Sequence, residues 1–545
     1  MLTSVSVLAQ SESVESYSID WWAISPLLVV FLAAFVSVLL EAFLPRSRRW
    51  AAQVGLSIGT LLIAAFAMIL YINEDLRVGL GLSEEVPVDP AFADATHQVA
   101  PVTTFNGALA VDDPTLFLWG TLLALALPSF LMIADRSVEP GGAFVAQAAL
   151  RPGSTQDRAQ TTVPGMQTEV FPLALFALGG MMAFLASNDL LTMFVALEVL
   201  SLPLYLMCGL ARRRRLISQE AAVKYFLLGA FASAFFLYGI ALLYGFAGSV
   251  QLSAIAQATA GTDRSETLLF AGLGLLVVGL LFKASVGPFH SWTPDVYQGA
   301  PTPVTAFMAA CTKVAAFGAI LRVFSVAFEA SSWEWEGVLW AVAIASMVIG
   351  AVLGLTQTDI KRMVAYSSVA HAGFLLVGAI ALTDDGLAGT MFYLLAYGFT
   401  TVAVFGVITL VRDSDGEATH LSKWAGLAKR SPLVAAVFSF LLLALAGIPL
   451  TSGFMGKLAV FSAAVADGMA PLVVVALIAS AVAAFFYVRV IVLMYFSEPA
   501  ADGPTVSVPG AFTTAAITLG VVVTLLLGVL PTLALDWAGI GGFIS

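Results

Sequence analysis

Six ionisable side chains interrupt long apolar stretches of this 545-residue chain. Four are lysines, one is a glutamate and one is a histidine: Glu198, Lys224, Lys283, Lys313, His371 and Lys457. A charged side chain near the centre of a bilayer costs roughly 2.5–3.5 kcal/mol on insertion scales, so such residues usually face a protein interior or a hydrated path. Lysine, glutamate and histidine can each exchange a proton when their surroundings shift their pKa. These residue types therefore indicate proton transfer within a membrane.

Glu198 and Lys224 are predicted to form an ion pair. Glu198 lies near the middle of the apolar run FVALEVLSLPLYL, and Lys224 is near the start of the next run, QEAAVKYFLLGAFASAFFLYG. Because the connection between the runs is short, the two helices should be antiparallel neighbours. The field of one charge then shifts the pKa of the other, as a proton path requires. The alternative is a structural pair that only neutralises two buried charges.

Lys283 and Lys457 each lie beside a cluster of helix-breaking residues. The prolines that exclude one continuous helix after Lys283 are Pro288, Pro294, Pro301 and Pro303. The residues that interrupt the run before Lys457 are Gly447, Pro449, Gly453 and Gly456. A broken helix at membrane depth frees backbone carbonyl groups and is tolerated only inside protein or beside water. Interrupted helices in corresponding positions of two inverted repeats indicate a transport site.

Lys313 and His371 are the remaining members of the set. Lys313 lies about eleven residues into its apolar segment, at mid-depth, with no acidic residue near it in the sequence. It is either a proton relay or a charge paired with a distant acid. His371, in VAYSSVAHAGFLLVG, could connect the lysines, since imidazole titrates near neutrality. Its alternative is a hydrogen-bonded packing residue.

The elements that carry these residues are predicted to be membrane-spanning helices. The chain is 60% hydrophobic and 11% charged, and so few charges cannot cover a water-facing surface of this length. This composition excludes a soluble enzyme, a nucleic-acid-binding protein and a disulfide scaffold, and Cys208 and Cys311 form no metal set. The apolar segments long enough to cross a bilayer are roughly 24–44, 51–71, 115–134, 171–187, 190–210, 221–247, 267–287, 302–326, 335–357, 363–382, 387–411, 432–461, 470–496 and 512–533.

The predicted fold is therefore all-α and polytopic, with about fourteen transmembrane helices. It comprises two inverted five-helix repeats, in which helices seven and twelve are discontinuous. The predicted divisions are an N-terminal extracytoplasmic segment 1–23, three helices in 24–134 with an acidic outer loop 72–114, a flexible cytoplasmic loop 135–170, a first repeat 171–326, a second repeat 335–496, and a last helix with the C-terminus 512–545.

The distribution of cations predicts the orientation. Sixteen Lys and Arg residues fall in alternate loops: Arg46, Arg48, Arg49, Arg136, Arg151, Arg158, arginines 212–215, Lys361, Arg362, Arg412, Lys423, Lys429 and Arg430. The opposite loops hold only Arg77 and Arg264, so the cation-rich side is predicted to be cytoplasmic. Both termini are then extracytoplasmic. Arg322 and Arg489, near predicted helix ends, are expected to extend to the membrane surface.

Several stretches resemble the antiporter-like subunits of respiratory complex I and of multi-subunit cation/proton antiporters. They are LEVLSLPLYL, EAAVKYFLLGAFAS, FKASVGPFHSWTPDVYQGAPTPVTAF, KRMVAYSSVAHAGFLL, GIPLTSGFMGKLAVF and YVRVIVLMYF, within residues 171–496. The GPFHxWxPDVYxGAPTPV run is highly specific. Three details resemble the N-type branch of this family: Lys457 where the M type has Glu, the KYFLLGAFASAF stretch, and no C-terminal amphipathic extension as in the L type.

The resemblance implies a role for each residue of the set. Glu198 would pair with Lys224, Lys283 would be the lysine of helix seven, and Lys313 the connecting lysine of helix eight. His371 would lie on a central hydrophilic axis, and Lys457 would be the exit-side lysine. The implied protein is a non-redox, proton-translocating subunit of NADH:quinone oxidoreductase in a bacterial inner membrane. Flavin, iron–sulfur clusters and quinone would belong to other subunits, with no cofactor or metal in this chain.

The implied partners are subunit M, small membrane subunits such as K and J, and the lipid bilayer, with no nucleic acid. Two other functions stay open. One is a subunit of a multi-subunit sodium/proton antiporter, whose polar axis would look much the same. The other is a non-conducting scaffold of the membrane arm, which the intramembrane lysines disfavour because unneeded buried charges are costly.

Overall fold

The computed structural model describes residues 19–73, 76–77, 80, 82, 101–139, 141–160, 165, 167–261, 266–414, 416–499 and 503–544. Residues 1–18 of the predicted N-terminal segment and 83–100 of the predicted acidic loop lie outside this part. Fourteen helical segments within it correspond to the predicted apolar segments. They are α1 (Trp21–Phe43), α2 (Arg46–Ile72), α3 (Asp113–Ala134), α4 (Val170–Ala186), α5 (Leu190–Cys208), α6 (Arg215–Ala247), α7 (Glu266–Ala284), α8 (Thr302–Ala327), α9 (Ser332–Thr356), α10 (Ile360–Ile380), α11 (Asp384–Leu410), α12 in two halves (Pro432–Ala446 and Ser452–Ala466), α13 (Ala470–Phe496) and α14 (Ala511–Val529).

Twelve helices in the described residues are long and apolar enough to cross a membrane on their own. The remaining segments are α4, with 17 residues, and α12, whose halves have 15 residues each. Neither half of α12 alone reaches the ~20 residues that a bilayer core requires, so the halves must act as one span. The predicted polytopic all-α fold is confirmed, while the inverted relation between the two repeats stays a prediction.

Three helices form the centre of the molecule. The side chains of α8, α10 and α11 are almost all buried in protein. By contrast, α1, α2, α6, α13 and α14 present large exposed apolar side chains on their outer faces. A helix that is apolar on all sides and also buried on all sides is typical of the inside of a bundle. The predicted site residues Lys313 and His371 lie on two of these central helices.

The predicted interruptions in helices seven and twelve are confirmed. The helix α7 ends at Ala284, and the chain turns through residues 285–291 before a short helix, Trp292–Gly299. The first half of α12 ends at Ala446, where Gly447 adopts a φ of +85° that favours glycine. An interruption that was not predicted lies in α8, where a π-helical turn, Met308–Thr312, directly precedes Lys313. Such turns are frequently found at functional sites.

Aspartates cap the first turns of several helices. The Asp189 carboxylate accepts hydrogen bonds from the first backbone N–H groups of α5, and Asp359 does the same for α10. Asp112 caps α3 through the amide of Thr115. These N–H groups have no partner within their own helix, and a membrane offers no water to satisfy them.

Short strands tie the loops together at both ends of the bundle. Strands β1 (Val102–Thr104) and β2 (Leu109–Val111) pair antiparallel before α3. Strand β3 (Val411–Asp413) pairs antiparallel with both β4 (Gly416–Glu417) and β5 (Thr505–Val506). The second sheet joins the chain after α11 to the chain before α14.

The described part of the 135–170 loop is anchored by arginines from the start of α6. The Arg212 guanidinium donates to the carbonyl oxygens of Gly141 and Gly142 at 2.8 Å, and also to that of Gly165. Arg215 binds Asp157 at 2.5 Å and the carbonyl oxygen of Ala148 at 2.7 Å. These bonds hold the loop across the cation-rich end of the bundle.

Helix α9 packs against α10 with a glycine at the contact. A Cβ added to Gly350 would collide with the backbone nitrogen of Ala370 and lie 2.7 Å from the carbonyl oxygen of Tyr366. We expect Gly350→Ala to destabilise the protein by about 1–3 kcal/mol, because the two backbones must separate. Thermal unfolding of the detergent-purified chain measures this as a lowered Tm.

The matched control is Gly274→Ala on the exposed side of α7, where an added Cβ meets nothing within 4 Å. This variant should keep or slightly raise the Tm, since alanine favours a helix. Equal Tm values for the two variants would contradict the close α9–α10 contact.

Candidate functional site

The first part of the site lies between α5, α6 and α7. The Lys283 side chain is buried, and its ammonium group donates to the Ser201 hydroxyl at 2.8 Å and the Tyr225 hydroxyl at 3.1 Å. Glu198 lies on the same face of α5 as Ser201, three residues earlier. Its carboxylate accepts a hydrogen bond from Ser233 of α6 at 2.5 Å. Glu198 and Lys283 each bind a hydroxyl group of α6, Ser233 for Glu198 and Tyr225 for Lys283.

Lys224 lies apart from these two residues. Its ammonium group forms ion pairs with Glu220 and Asp295, both at 2.7 Å. The predicted Glu198–Lys224 ion pair is therefore wrong for this structure. The physical reason is depth: Glu198 binds Ser233, nine residues beyond Lys224 and about 13 Å further along α6 at 1.5 Å per residue. A lysine side chain does not span that distance.

Lys313 occupies the centre of the bundle and binds backbone oxygens. Its ammonium group donates to the carbonyl oxygens of Ala284 at 3.2 Å and Ser368 at 3.0 Å, and lies 5.7 Å from the centre of the Tyr397 ring. Ala284 is the last residue of α7, so its carbonyl group is one that the break sets free. Among the described residues Lys313 has no carboxylate partner, so the alternative of a distant acid is not realised.

His371 connects the two tyrosines of the bundle centre. Its Nδ1 atom lies 2.7 Å from the Tyr393 hydroxyl, and Nε2 lies 3.3 Å from the Tyr487 hydroxyl. The imidazole ring is also 4.9 Å from the Tyr397 ring, which faces Lys313. His371 is thus hydrogen-bonded, as its packing alternative requires, and it also lies between charged groups, as a relay requires.

Lys457 repeats the arrangement of Lys313 at the second break. Its ammonium group donates to the carbonyl oxygens of Leu445 at 3.2 Å and Ala446 at 2.9 Å, and to the Ser480 hydroxyl at 2.9 Å. Both carbonyl groups belong to the last turn of the first half of α12. A helix C-terminus carries partial negative charge, which favours a cation there.

A cavity of about 560 Å³ adjoins Lys457. Its walls are the second half of α12 and the start of α13, from Lys457 to Ala466 and from Val473 to Ser480. Asp467 follows directly after this half-helix, in the connection to α13. The cavity therefore extends from the buried ammonium group towards the end of the bundle opposite the cation-rich loops.

Four of the six predicted residues form one line through the molecule. Lys283 precedes Ala284, whose carbonyl oxygen binds Lys313, and Lys313 faces the Tyr397 ring beside His371. The Phe374 ring lies 5.7 Å from the His371 ring and 5.0 Å from the Lys457 ammonium group. Glu198 is at the α5 end of this line, and Lys224 is outside it.

Hydroxyl groups that were not predicted from the sequence complete the line. Tyr225, Tyr393, Tyr397 and Tyr487 are buried within helices rather than placed at membrane interfaces. Tyr393 and Tyr397 are four residues apart on α11, which puts both on the face towards His371. Two tyrosines at this spacing within an apolar run were the feature of the sequence from which these hydroxyl groups could have been predicted. The acceptor roles of Ser201 and Ser480 had no comparable signal, because serine is common in such helices.

The expectation for Arg322 is wrong, and that for Arg489 agrees with the structure. Arg322 is fully buried, and its guanidinium group binds Asp112 at 2.8 Å and the Leu185 carbonyl oxygen at 3.0 Å. The guanidinium group thus binds a buried carboxylate and a buried carbonyl oxygen instead of extending to the membrane surface. Arg489 is exposed and donates to the carbonyl oxygens of Leu355 and Gln357 at the end of α9, both at 2.8 Å.

Charged residues at the cation-rich end form a partly buried cluster. Lys361 is buried and binds the Thr302 hydroxyl at 2.9 Å and Glu417 at 3.5 Å. Glu139 bridges Arg213 at 2.5 Å and Arg412 at 2.7 Å. The cluster therefore joins the loop before α4, the start of α6 and the strands after α11.

Comparison with known proteins identifies the class. A family model described as NADH:quinone oxidoreductase/Mrp antiporter, transmembrane, matches residues 187–483, which contain all six predicted site residues. The chain belongs to this family of antiporter-like membrane subunits. It is a multi-pass membrane protein of the complex I and Mrp type.

Full-length relatives narrow the family further. A protein of Saccharopolyspora erythraea named NADH-quinone oxidoreductase subunit N is 75% identical over 98% of this chain and 99% of its own length. One of the same name from Rhodococcus opacus is 56% identical over 99% and 98%. Within the family, the chain therefore belongs with the N-type subunits of NADH-quinone oxidoreductase.

Solved structures agree on the fold. A chain of respiratory complex I from Thermus thermophilus with bound Aureothin superposes with a TM-score of 0.72 at 32% identity, covering 95% of this chain and 100% of that one. A chain of the Mrp complex from Dietzia sp. DQ12-45-1b reaches 0.74 at 23% identity, over 96% and 97%, which shows a shared fold.

In the described residues, no group of three or more His, Cys, Asp or Glu side chains is arranged to hold a metal ion. The chemistry that these residues can perform is proton exchange among ammonium, imidazole, carboxyl and hydroxyl groups.

The charge of Glu417 is expected to make the stability of the protein depend on pH. Burial raises the pKa of its carboxyl group, but Lys361, the Thr302 hydroxyl and Arg412 together lower it below the usual range. A carboxylate whose pKa is lower in the folded state stabilises the protein above the unfolded pKa of about 4.3, and this stabilisation is lost as the pH falls through the folded value. Glu417→Gln should therefore lower the Tm at neutral pH, with a difference from wild type that shrinks on acidification.

Thermal unfolding in detergent across a pH series measures this difference. Glu498→Gln is the control, because Glu498 is 85% exposed in its pair with Lys429 and such pairs contribute little. A Tm difference for Glu417→Gln that is the same at every pH would contradict the electrostatic role.

Proposed function

We propose that this chain is a proton-translocating subunit in the membrane arm of an NADH:quinone oxidoreductase. Protons move along Glu198, Lys283, Lys313, His371 and Lys457, driven by quinone reduction in other subunits. The observation that carries the proposal is the solvation of three buried lysines by carbonyl and hydroxyl oxygens rather than by carboxylates. The names of the 75% and 56% identical relatives support the assignment to this enzyme.

Neutral acceptors suit a lysine that must lose its proton. A carboxylate at contact distance would hold the ammonium form by direct charge attraction, which is strong where the dielectric is low. Carbonyl and hydroxyl oxygens bind the ammonium form less strongly and leave no unpaired buried charge when the proton departs. The same hydroxyl groups can donate to the neutral amine, so both protonation states of Lys283 and Lys457 have partners.

Repulsion between neighbouring sites supplies the coupling between steps. Lys313 and Lys457 flank His371 and its tyrosines, and a proton on one of these groups disfavours a proton on the next. A proton that arrives at Lys283 therefore favours release at the Lys457 end. The aromatic rings of Tyr397 and Phe374 face the ammonium groups and stabilise the charge in transit.

Uptake and release are assigned to opposite ends of the line. Lys224, with Glu220, forms the cytoplasmic approach to the α6–α7 side, where the cation-rich loops lie. The cavity beside Lys457 forms the release route. With the cation-rich loops assigned to the cytoplasm, both termini are assigned to the outside, and the chain is assigned to a bacterial inner membrane.

Redox chemistry belongs to other subunits in this proposal. Flavin, iron–sulfur clusters and quinone are assigned to partner chains, and the neighbours within the membrane arm are subunit M and small subunits such as K and J. The exposed apolar faces of the outer helices suit such neighbours or lipid. This chain then acts as a translocase and contributes no cofactor.

A sodium/proton antiporter subunit is the second candidate, since the family model covers both kinds of complex. A non-conducting scaffold is the third, and three buried lysines that have no carboxylate partner in the described part of the chain argue against it. The experiment that separates the first two is mild-detergent purification from the native membrane: NADH dehydrogenase subunits should co-purify with the chain.

Lys283→Ala tests the proton path. We expect the complex to assemble, while NADH-driven acidification of inverted membrane vesicles falls to less than about a tenth of wild type, because a relay group is lost. Electron transfer should fall as well, since the two processes are coupled. Lys429→Ala, which removes a half-exposed lysine from a surface pair, is the matched control and should acidify normally. Normal acidification by Lys283→Ala would exclude its relay role.

Replacing sodium with choline at constant ionic strength tests the transported ion. Vesicles driven by NADH should acidify at the same rate with either cation, because the lysine line exchanges protons alone. The measurement is dye-reported acidification alongside NADH oxidation. A rate that depends on sodium would instead favour the antiporter.

A further inference from the structure

Asp295 lies where the two halves of the chain meet at the cytoplasmic end. It belongs to the short helix Trp292–Gly299, which follows the break in α7. Its carboxylate accepts from the Lys224 ammonium group of α6 at 2.7 Å and from the Arg362 guanidinium of α10 at 2.5 Å. One carboxylate thus holds a cation from the first predicted repeat and a cation from the second.

A second bond series fastens the same short helix to α10. The Arg362 guanidinium also donates to the Gln298 side chain at 3.2 Å, and Gln298 donates to Asp359 at 3.1 Å. Asp359 in turn caps the first turn of α10. Lys361 then binds the Ala300 carbonyl oxygen at 3.1 Å. The segment between the α7 break and α8 is therefore held at Asp295, Gln298 and Ala300.

The other side of the short helix touches the partners of Lys283. Trp292 is one turn before Asp295, and its ring stacks on the Tyr225 ring with centroids 4.5 Å apart and planes 9° apart. The Trp292 indole N–H donates to the Phe282 carbonyl oxygen at 3.0 Å. Tyr225 accepts the hydrogen bond of the Lys283 ammonium group.

We propose that Asp295 is a positioning residue for the proton path, which acts on Lys283 through Trp292 and Tyr225. By holding Lys224 and Arg362 together, it fixes the short helix between the two halves. The fixed helix sets the orientation of the Tyr225 hydroxyl and of the α7 end. That end supplies both Lys283 and the Ala284 carbonyl oxygen that binds Lys313.

The charge of Asp295 suits this role. It lies between spanning segments, where burial raises the pKa of its carboxyl group, but the hydrogen bonds and charges of Lys224 and Arg362 outweigh burial and lower it. The carboxylate form is therefore kept at neutral pH. An amide at this position would keep the shape and lose the attraction to both cations.

The test uses the whole complex in membrane vesicles and follows the rate of NADH-driven acidification. Asp295→Asn should assemble and lower this rate at least about threefold, and Asp295→Glu should restore most of it. Glu498→Gln removes the charge of an exposed surface pair and is the matched control. An unchanged rate in Asp295→Asn would overturn the proposal.

A double-mutant cycle tests the route through Tyr225. If Asp295 acts through this tyrosine, Tyr225→Phe and Asp295→Asn should be non-additive by at least about twofold, as expected for groups in one network. Additive losses would place Asp295 outside the route and overturn the proposal. Arg362→Gln, which cuts only the α10 side of the bridge, should show the same non-additivity and serves if Asp295→Asn fails to assemble.

The inference rests on the proposed function, and Lys283→Ala in the same assay separates the two. Normal pumping by Lys283→Ala would reject the proton path itself. Lost pumping by Lys283→Ala together with normal pumping by Asp295→Asn would reject only the positioning role.

Discussion

The cost of keeping an ammonium group inside a membrane governs this structure. Such a group needs oxygen acceptors, and most carbonyl groups of an intact helix are already bonded within it. The chain provides further acceptors by ending helices within the bundle: Lys313 binds the end of α7 in addition to the Ser368 carbonyl of α10, and Lys457 binds the end of the first half of α12. The two breaks therefore supply carbonyl acceptors to two buried ammonium groups, and the glycines and prolines at the breaks end the helices there.

The burial of the central helices follows from the same constraint. The helices α8, α10 and α11 carry Lys313, His371, Tyr393 and Tyr397, and protein surrounds them on all sides. Lipid on any of these faces would leave polar groups without partners. The outer helices, whose apolar side chains face outwards, separate the central helices from lipid.

Charges at the two ends of the bundle have a different task from those along its centre. Arg322 and Asp112 form a fully buried pair, and Lys361 with Glu417 ties α10 to the strands after α11. These cations have carboxylate partners, whereas Lys283, Lys313 and Lys457 have none among the described residues. The partner of a cation, rather than its depth, thus distinguishes the residues that hold the bundle from those suited to exchange protons. Lys224 belongs to neither class alone, because its ion pair with Asp295 connects it to the short helix that contacts Tyr225.

The fourteen segments, the breaks near Lys283 and Lys457, and the residues that are costly in a membrane could all be predicted from the amino-acid sequence. All of these depend on properties of a short stretch of chain: its transfer from water, or the loss of a backbone N–H at proline. Which groups contact one another became known only from the packing of the helices. Glu198 and Lys224 are close in sequence yet lie at different depths. Arg322 is near a predicted helix end yet bound to Asp112, and Lys361 falls in a predicted loop yet is buried in the first turn of α10. The choice of partner depends on the depth and rotation of whole helices, and packing between distant segments sets both.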